Sequence, residues 1–249
     1  MHPILFYVGP FPVTAYGFMA AMGIIAGTAV VLREGKRLGY DVDTILDLAL
    51  YMSVAGVVGS RLAYILLEWT WADFVAAPLA VFHVWEGGLS FFGALALCLV
   101  VAAWYAKRKR IRLTHLGDLL ALGVAAGYPF GRIGCFLNGC CHGQVTTGWW
   151  GVSVPFDHVL RHPTQLYSAG FGILIFVVLW LSRKRKPFDG YLMMLYLVLY
   201  GAYRFVIDFW RVSPETGLAG LTTGQAFSLA VVLVSLLVLW MMKTRLPRG

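Results

Sequence analysis

Charge is scarce in this chain of 249 residues: Asp, Glu, Lys and Arg together make up 13%, against 59% apolar residues. Average soluble chains carry about a quarter charged residues, so a water-soluble globule is excluded. Alternating ten-residue segments of the kind that build a membrane β-barrel are also missing. No Pro/Ser-rich linker or low-complexity tract divides the chain, which therefore reads as a single transmembrane domain over residues 1–249. Met1–Tyr16 has neither a basic leader nor a small-residue cleavage site, so a cleaved signal peptide is not expected. Acidic residues are few, 12 against 20 Lys and Arg, which gives a net charge of +8. In a soluble domain that excess would suggest nucleic acid. Here the basic residues cluster in short stretches between apolar runs, so no nucleic-acid partner is expected.

What is present is a series of long apolar runs with a mean hydropathy of +0.75. Seven segments qualify as spans: Pro12–Leu32, Thr44–Leu67, Gly87–Ala106, Leu113–Phe136, Thr164–Leu181, Gly190–Trp210 and Gly224–Met242. Each is long enough, as a helix, to cross a hydrocarbon core of about 30 Å. The fold class is therefore an all-α polytopic membrane protein.

Charge counting orients it. Arg33, Lys36 and Arg37 follow the first segment, and Lys107, Arg108, Lys109, Arg110 and Arg112 follow the third. Arg183, Lys184, Arg185 and Lys186 follow the fifth, and Lys243, Arg245 and Arg248 follow the seventh. With seven crossings these fall on one side and account for 15 of the 20 basic residues. The positive-inside rule makes that side cytoplasmic, which places the N-terminus outside and the C-terminus inside.

The remaining five basic residues, Arg61, Arg132, Arg161, Arg204 and Arg211, are all arginines and all fall toward the outer face. Snorkelling and helix–helix ion pairs account for one or two. A collection of arginines at one depth points further, to an anionic ligand, because the planar guanidinium fork matches phosphate bidentately. In segment six, Tyr200, Arg204, Asp208 and Arg211 are spaced to share one helical face, with Asp208 able to pair with both arginines.

The densest chemistry lies in Gly131–Gly143, which reads Gly-Arg-Ile-Gly-Cys-Phe-Leu-Asn-Gly-Cys-Cys-His-Gly. Its cysteines leave three readings open. The spacing C-x4-C-C-H departs from the paired C-x2–4-C of structural zinc motifs. A disulfide is compatible with an outward-facing, oxidising compartment. Small residues packed at a glycine-rich corner need neither. Two other outer stretches are polar: Trp85–Phe92, a glycine turn into segment three, and Arg161–Tyr167, where His162 and Gln165 flank the start of segment five.

These residues, taken in order, resemble the prolipoprotein diacylglyceryl transferases, bacterial inner-membrane enzymes that begin lipoprotein maturation. The resemblance runs from Gly9-Pro10 and Tyr16-Gly17 through Gly59-Ser60-Arg61, Tyr64 and Trp85-Glu86-Gly87-Gly88. It continues through Gly131-Arg132-Ile133-Gly134, Asn138-Gly139, Gly143 and His162-Pro163-Thr164-Gln165-Leu166-Tyr167, and closes on Tyr200-Gly201, Arg204, Asp208 and Arg211. It implies transfer of a diacylglyceryl group from phosphatidylglycerol to the lipobox cysteine thiol of a preprolipoprotein. A thioether forms and glycerol phosphate leaves, with no cofactor or metal. The active site faces the outer side of the cytoplasmic membrane. Arg132 and Arg204 match the family's critical arginines and are assigned to the phosphate, with Arg61, Asn138 and Gly143 as further lipid contacts. Tyr16 and Tyr200 match catalytic positions, and Asp208, Arg211 and Gln165 are expected to support them.

Three positions depart from the family pattern. Cys135 stands where asparagine is common, and Cys140 where an acid is common. Phe92 stands where the family carries a histidine proposed as proton acceptor, and phenylalanine cannot accept a proton. His142 and His162, at the outer mouth, are the candidate substitutes. The departures also define two alternatives: a non-catalytic relative that binds anionic lipid or lipoprotein, and a thiol–disulfide membrane protein, the latter weakened by the lack of a C-x-x-C pair.

Overall fold

The seven apolar runs form seven helices long and apolar enough to cross a membrane. The structure is a computed structural model that describes residues 3–9, 11–83, 87–153, 159–212 and 220–244. Pro10, Trp85, Glu86, Arg245 and Arg248, all used above, lie outside the described residues.

Two short strands, β1 (Ile4–Val8) and β2 (Phe11–Thr14), pair antiparallel and lead into α1 (Ala15–Arg37). The first helix thus begins three residues later than hydropathy suggests, because Phe11–Thr14 is held in the hairpin, and it runs on to Arg37. Then come α2 (Val42–Glu68), the short α3 (Trp71–Ala76), a 3-10 turn (Pro78–Phe82), α4 (Phe91–Arg108) and α5 (Leu113–Asn138). A second small hairpin, β3 (Val152–Ser153) with β4 (Leu160–Arg161), precedes α6 (Thr164–Ser182). The chain ends with α7 (Tyr191–Ile207), a 3-10 turn (Asp208–Trp210) and α8 (Thr223–Thr244). An otherwise helical protein therefore carries two two-stranded pairs that hydropathy cannot reveal.

The helices assemble into two units, Leu32–Leu116 and Met1–Val31 with Gly117–Gly249. In the first, α2 and α4 meet where neither carries a side chain: a Cβ on Gly59 would stand 2.5 Å from the Gly93 carbonyl oxygen. The buried Tyr105 on α4 donates its hydroxyl to the Thr44 carbonyl at 2.7 Å. Thr70 and Asp73 form a reciprocal capping box that starts α3. The two groups satisfy each other's hydrogen-bonding needs.

In the second unit α1 and α5 cross on two glycine pairs. A Cβ on Gly23 would meet the Gly127 carbonyl oxygen at 2.9 Å, and one on Gly27 would meet that of Gly123 at 2.8 Å. Each helix thus presents a G-x-x-x-G repeat, the small-residue device that lets helix backbones approach in a membrane. Leu122 and Ala125 of α5, Ile175 and Leu179 of α6 and Leu192 of α7 form the apolar core. Buried Asp118 on α5 reaches across to accept hydrogen bonds from the Gly190 and Met193 amides and pairs with Lys186 Nζ at 2.8 Å. It supplies acceptors for amide donors at the start of α7 that no intrahelical carbonyl can satisfy.

Candidate active site

Arg132 lies in the penultimate turn of α5. Its Nε donates to the Tyr128 hydroxyl at 2.9 Å, and the guanidinium lies 5.0 Å from the centre of that ring, one turn back on the same face. Both terminal nitrogens of Arg132 have no partner among the described residues. Tyr128 passes the hydrogen bonding on, donating to the Tyr203 hydroxyl at 3.4 Å, which donates to Ser168 Oγ, which donates to the Thr164 carbonyl at 2.6 Å. Tyr200 packs edge-on against Tyr128 at 5.6 Å and stacks on Tyr196. One end of Arg132 is therefore fixed by a directed chain of hydroxyls and aromatic rings.

On α7, Arg204 donates to Asp208, whose other carboxylate oxygen accepts from the Thr222 hydroxyl. Asp208 is buried, and Arg211 Nε lies 4.0 Å from it with no hydrogen-bond partner among the described residues. The carboxylate thus stands between two guanidiniums, but not on one helical face: α7 ends at Ile207, Asp208 opens a 3-10 turn and Arg211 follows it in extended backbone. Gly224 makes room for it: a Cβ there would stand 2.8 Å from both Arg204 Nη2 and Asp208 Oδ2.

The Gly131–Gly143 stretch ends α5 with a Schellman turn. The Cys140 amide donates to the Cys135 carbonyl at 3.1 Å and the Gly139 amide to that of Phe136 at 3.1 Å, with Gly139 at φ +76°. Cys141 then adopts φ +62°, rare for a side-chain-bearing residue. These two left-handed residues fold the chain back, so that the sulfurs of Cys135, Cys140 and Cys141 lie within 4.8 Å of one another. All four cysteines of the chain are free thiols. The Cys141 thiol is drawn well down from its ordinary value by hydrogen bonds from the Cys135 and Cys140 thiols, against burial, with Arg211 and Arg132 adding to the effect.

α6 fastens this turn from the side. Thr164 Oγ1 donates to the Cys141 carbonyl at 2.9 Å, and Gln165 Nε2 to the Cys140 carbonyl at 2.5 Å. Gln165 is only 1% exposed, and its Oε1 has no partner among the described residues. The Gly143 amide donates to the His162 carbonyl at 2.9 Å, and a Cβ on Gly143 would run into the Trp210 carbonyl oxygen, Thr164 and His162. The Gly143 amide is thus taken up within the protein's own turn, and the space beside its Cα is filled by backbone and side chains remote in sequence.

The other sequence candidates divide. Tyr16 opens α1 against the same corner, where a Cβ on Gly134 would stand 3.3 Å from the Tyr16 Cα. Asn138, the last residue of α5, is exposed beside Cys140. His142 keeps a buried Nδ1 without a partner, and His162 Nδ1 lies 3.4 Å from the Tyr167 hydroxyl. Arg161 reaches the Gly143 carbonyl at 3.5 Å. Arg61, in the other unit, is 8% exposed and donates to four carbonyls, those of Ala80, Val81, Gly87 and Gly88. Its guanidinium holds that loop together. Phe92 is 68% exposed at the start of α4. Sequence reasoning missed Tyr128, Tyr203 and Ser168, although Tyr128 stands one helical turn before Arg132 and was within reach of periodicity.

A half-buried guanidinium held at one end among helices long and apolar enough to cross a membrane fits a membrane protein that meets an anionic group. The family model for prolipoprotein diacylglyceryl transferase matches residues 3–241. The phosphatidylglycerol–prolipoprotein diacylglyceryl transferase of Xylella fastidiosa (strain M23) is 34% identical, covering 96% of this chain and 92% of that protein. The enzymes of the same name from Xanthomonas oryzae pv. oryzae (strain PXO99A) and Xanthomonas campestris pv. campestris (strain B100) are 36% and 35% identical, covering 96% and 95% of this chain and 90% of each relative. The chain belongs to the prolipoprotein diacylglyceryl transferase family.

Proposed function

We propose that this chain transfers the diacylglyceryl group of phosphatidylglycerol to a prolipoprotein, and that the acceptor is the lipobox cysteine thiol of its signal peptide. The sulfur attacks the glyceryl carbon that bears the phosphate, the C–O bond breaks, and glycerol phosphate leaves with the bonding electron pair. The observation that carries this reading is Arg132, with two terminal nitrogens that have no partner among the described residues and its Nε anchored on Tyr128. Negative charge grows on the departing phosphate oxygens in the transition state, and a fixed, partly desolvated guanidinium stabilises it without reorganising. Arg204, neutralised by Asp208, serves as an orienting contact, while Arg61, committed to its own loop, stays outside the phosphate contacts. Tyr16 and Tyr200 border the phosphate position, and His142 and His162 are the side chains available to take the thiol proton.

The protein is placed in the bacterial cytoplasmic membrane, with its N-terminus and this site on the outer side. The support is the gathering of 15 of 20 basic residues in loops that share one side after seven crossings.

Purified protein incubated with phosphatidylglycerol and a lipobox peptide should yield the diacylglyceryl mass shift on the peptide cysteine. Arg132→Ala should slow the shift by about 10²–10³-fold, the range for losing one preorganised charge-stabilising donor. No shift with the wild type, together with retained phosphatidylglycerol binding, would establish the non-catalytic relative instead. A shift undiminished in Arg132→Ala would break the phosphate assignment.

A further inference from the structure

Three thiols converge beside the guanidinium that faces the leaving group, and nothing in the reaction as described uses them. We propose that Cys135, Cys140 and Cys141 hold a zinc ion whose fourth coordination position receives the thiol of the incoming prolipoprotein. The geometry favours this over the other two readings of the cysteines. Zn–S bonds of about 2.3 Å in a tetrahedron place sulfurs about 3.8 Å apart. The three sulfurs already lie within 4.8 Å of one another, so each needs to move by less than a bond length. A disulfide between Cys140 and Cys141 is disfavoured, since adjacent Cα atoms sit about 3.8 Å apart and disulfides want about 4.4–6.8 Å. Pairing Cys135 with either of them would strand the third thiol.

The site is also built. Its turn is set by left-handed residues at Gly139 and Cys141, and its two loop carbonyls are hooked by Thr164 and by Gln165, both almost fully buried. Gln165 Oε1 has no partner among the described residues, and Cys141 is exposed, which leaves one side of the cluster open. Thiolate ligands select soft or borderline metals, and three protein ligands with one open position is the arrangement of catalytic rather than structural zinc. Three thiolates on Zn²⁺ leave a net charge of −1, and Arg132, three residues before Cys135 on α5, brings a compensating positive charge to the same face. Arg132 and Cys135 are three residues apart on α5, so nucleophile and leaving group would be brought together on one helical face.

The chemistry balances. The substrate thiol binds zinc and releases its proton to solvent, because a metal-bound thiol is deprotonated outright. The zinc-bound sulfur attacks the glyceryl carbon as the C–O bond to phosphate breaks. The neutral thioether formed is a weaker ligand and leaves the metal. No oxidant or reductant is needed, and no histidine base at the position of Phe92 is required.

This step rests on the transfer reaction proposed above, so the test reads the metal separately from turnover. Full-length protein, reduced and reconstituted anaerobically with zinc, should retain stoichiometric zinc after desalting, and Cys135→Ser/Cys140→Ser/Cys141→Ser should retain none. Cys98→Ser is the control with an untouched cluster, and single Cys141→Ser, which should weaken retention, serves if the triple variant fails to fold. The cobalt(II)-loaded protein should show sulfur-to-cobalt charge transfer, and a lipobox peptide, but not its serine version, should alter the tetrahedral cobalt bands. Chelation should lower lipidation by about a hundredfold or more, the contribution expected of thiol deprotonation, and zinc should restore it. Loss of activity with a normal cobalt response would fault the transfer reading, not the site. Failure of the wild type to retain zinc, retention of copper in its place, a cobalt spectrum blind to the thiol peptide, a disulfide joining two of these cysteines in the protein purified without reductant, or full turnover after chelation would each overturn the proposal.

Discussion

Tyr128 carries more of the site than any residue named from the family pattern. Its hydroxyl accepts from Arg132 and donates to Tyr203, so a single oxygen both holds the guanidinium and connects it, through Ser168 and Thr164, to the turn that bears Cys141. Tyr128→Phe keeps the ring and its packing against Tyr200 but removes that oxygen. A hydrogen bond to a charged group contributes about 1.5–3 kcal/mol, so the variant should lose about ten- to a hundredfold in kcat/KM for lipid transfer. The thermal melt should move little, because only one partly satisfied hydroxyl is lost. A melt lowered as much as the activity would show that the chain serves folding only. Arg61 shows the opposite lesson. An arginine in a membrane span looks functional by default, yet its donors go to four carbonyls of its own unit, so its chemistry is that of a staple.

Among the elements, the start of α7 depends on a residue from α5. Asp118 accepts from two α7-end amides and from Lys186, and it is almost fully buried. Burial pulls Lys186 down, but its hydrogen bonds to Asp118 and Asp189 outweigh that and leave it raised. A raised lysine contributes stability that is complete below the unfolded value of about 10.4 and is lost as pH rises past the folded one. The pair is thus constant through the neutral range. Asp118→Ala would leave Lys186 and two amides without their acceptor and should lower stability by about 3–5 kcal/mol. Thermal unfolding in detergent checks this, and a loss below 1 kcal/mol would mean that water takes the place of the carboxylate. The α1–α5 crossing is equally intolerant. Gly127→Leu would drive a side chain into the Gly23 carbonyl, and overpacking of this kind costs about 1–3 kcal/mol or forces the helices apart. A melt unchanged by that substitution would show that the seam is loose.

At the scale of the whole molecule, orientation is the claim most open to direct measurement. A green fluorescent protein fused after residue 249 should fluoresce in intact bacteria, and one exported at the N-terminus through the general secretory route should stay dark. The reverse pattern would invert the site's proposed facing. The same scale shows what could be read from the chain and what could not. Spans were legible because hydropathy is a local sum, and the Arg204–Asp208 pair was legible because i, i+4 spacing brings side chains together at a helix end. The convergence of Cys135 with Cys140 and Cys141 was not, since spacing alone argues against it. It depends on the backbone handedness of Gly139 and Cys141. The packing around Gly143 was hidden for a related reason: the groups that fill its space, Trp210, His162 and Thr164, are remote in sequence.

The glycine seam between α1 and α5 bears on traffic as well as on packing. Where the Gly23 and Gly127 backbones touch, and again at Gly27 and Gly123, no gap remains for an acyl chain to slide through. If Arg132 receives the lipid as proposed, that lipid reaches it past another face of α5. Covalently stapling α1 to α5 along that seam should leave lipid transfer unchanged, as mass spectrometry of a lipobox peptide would show.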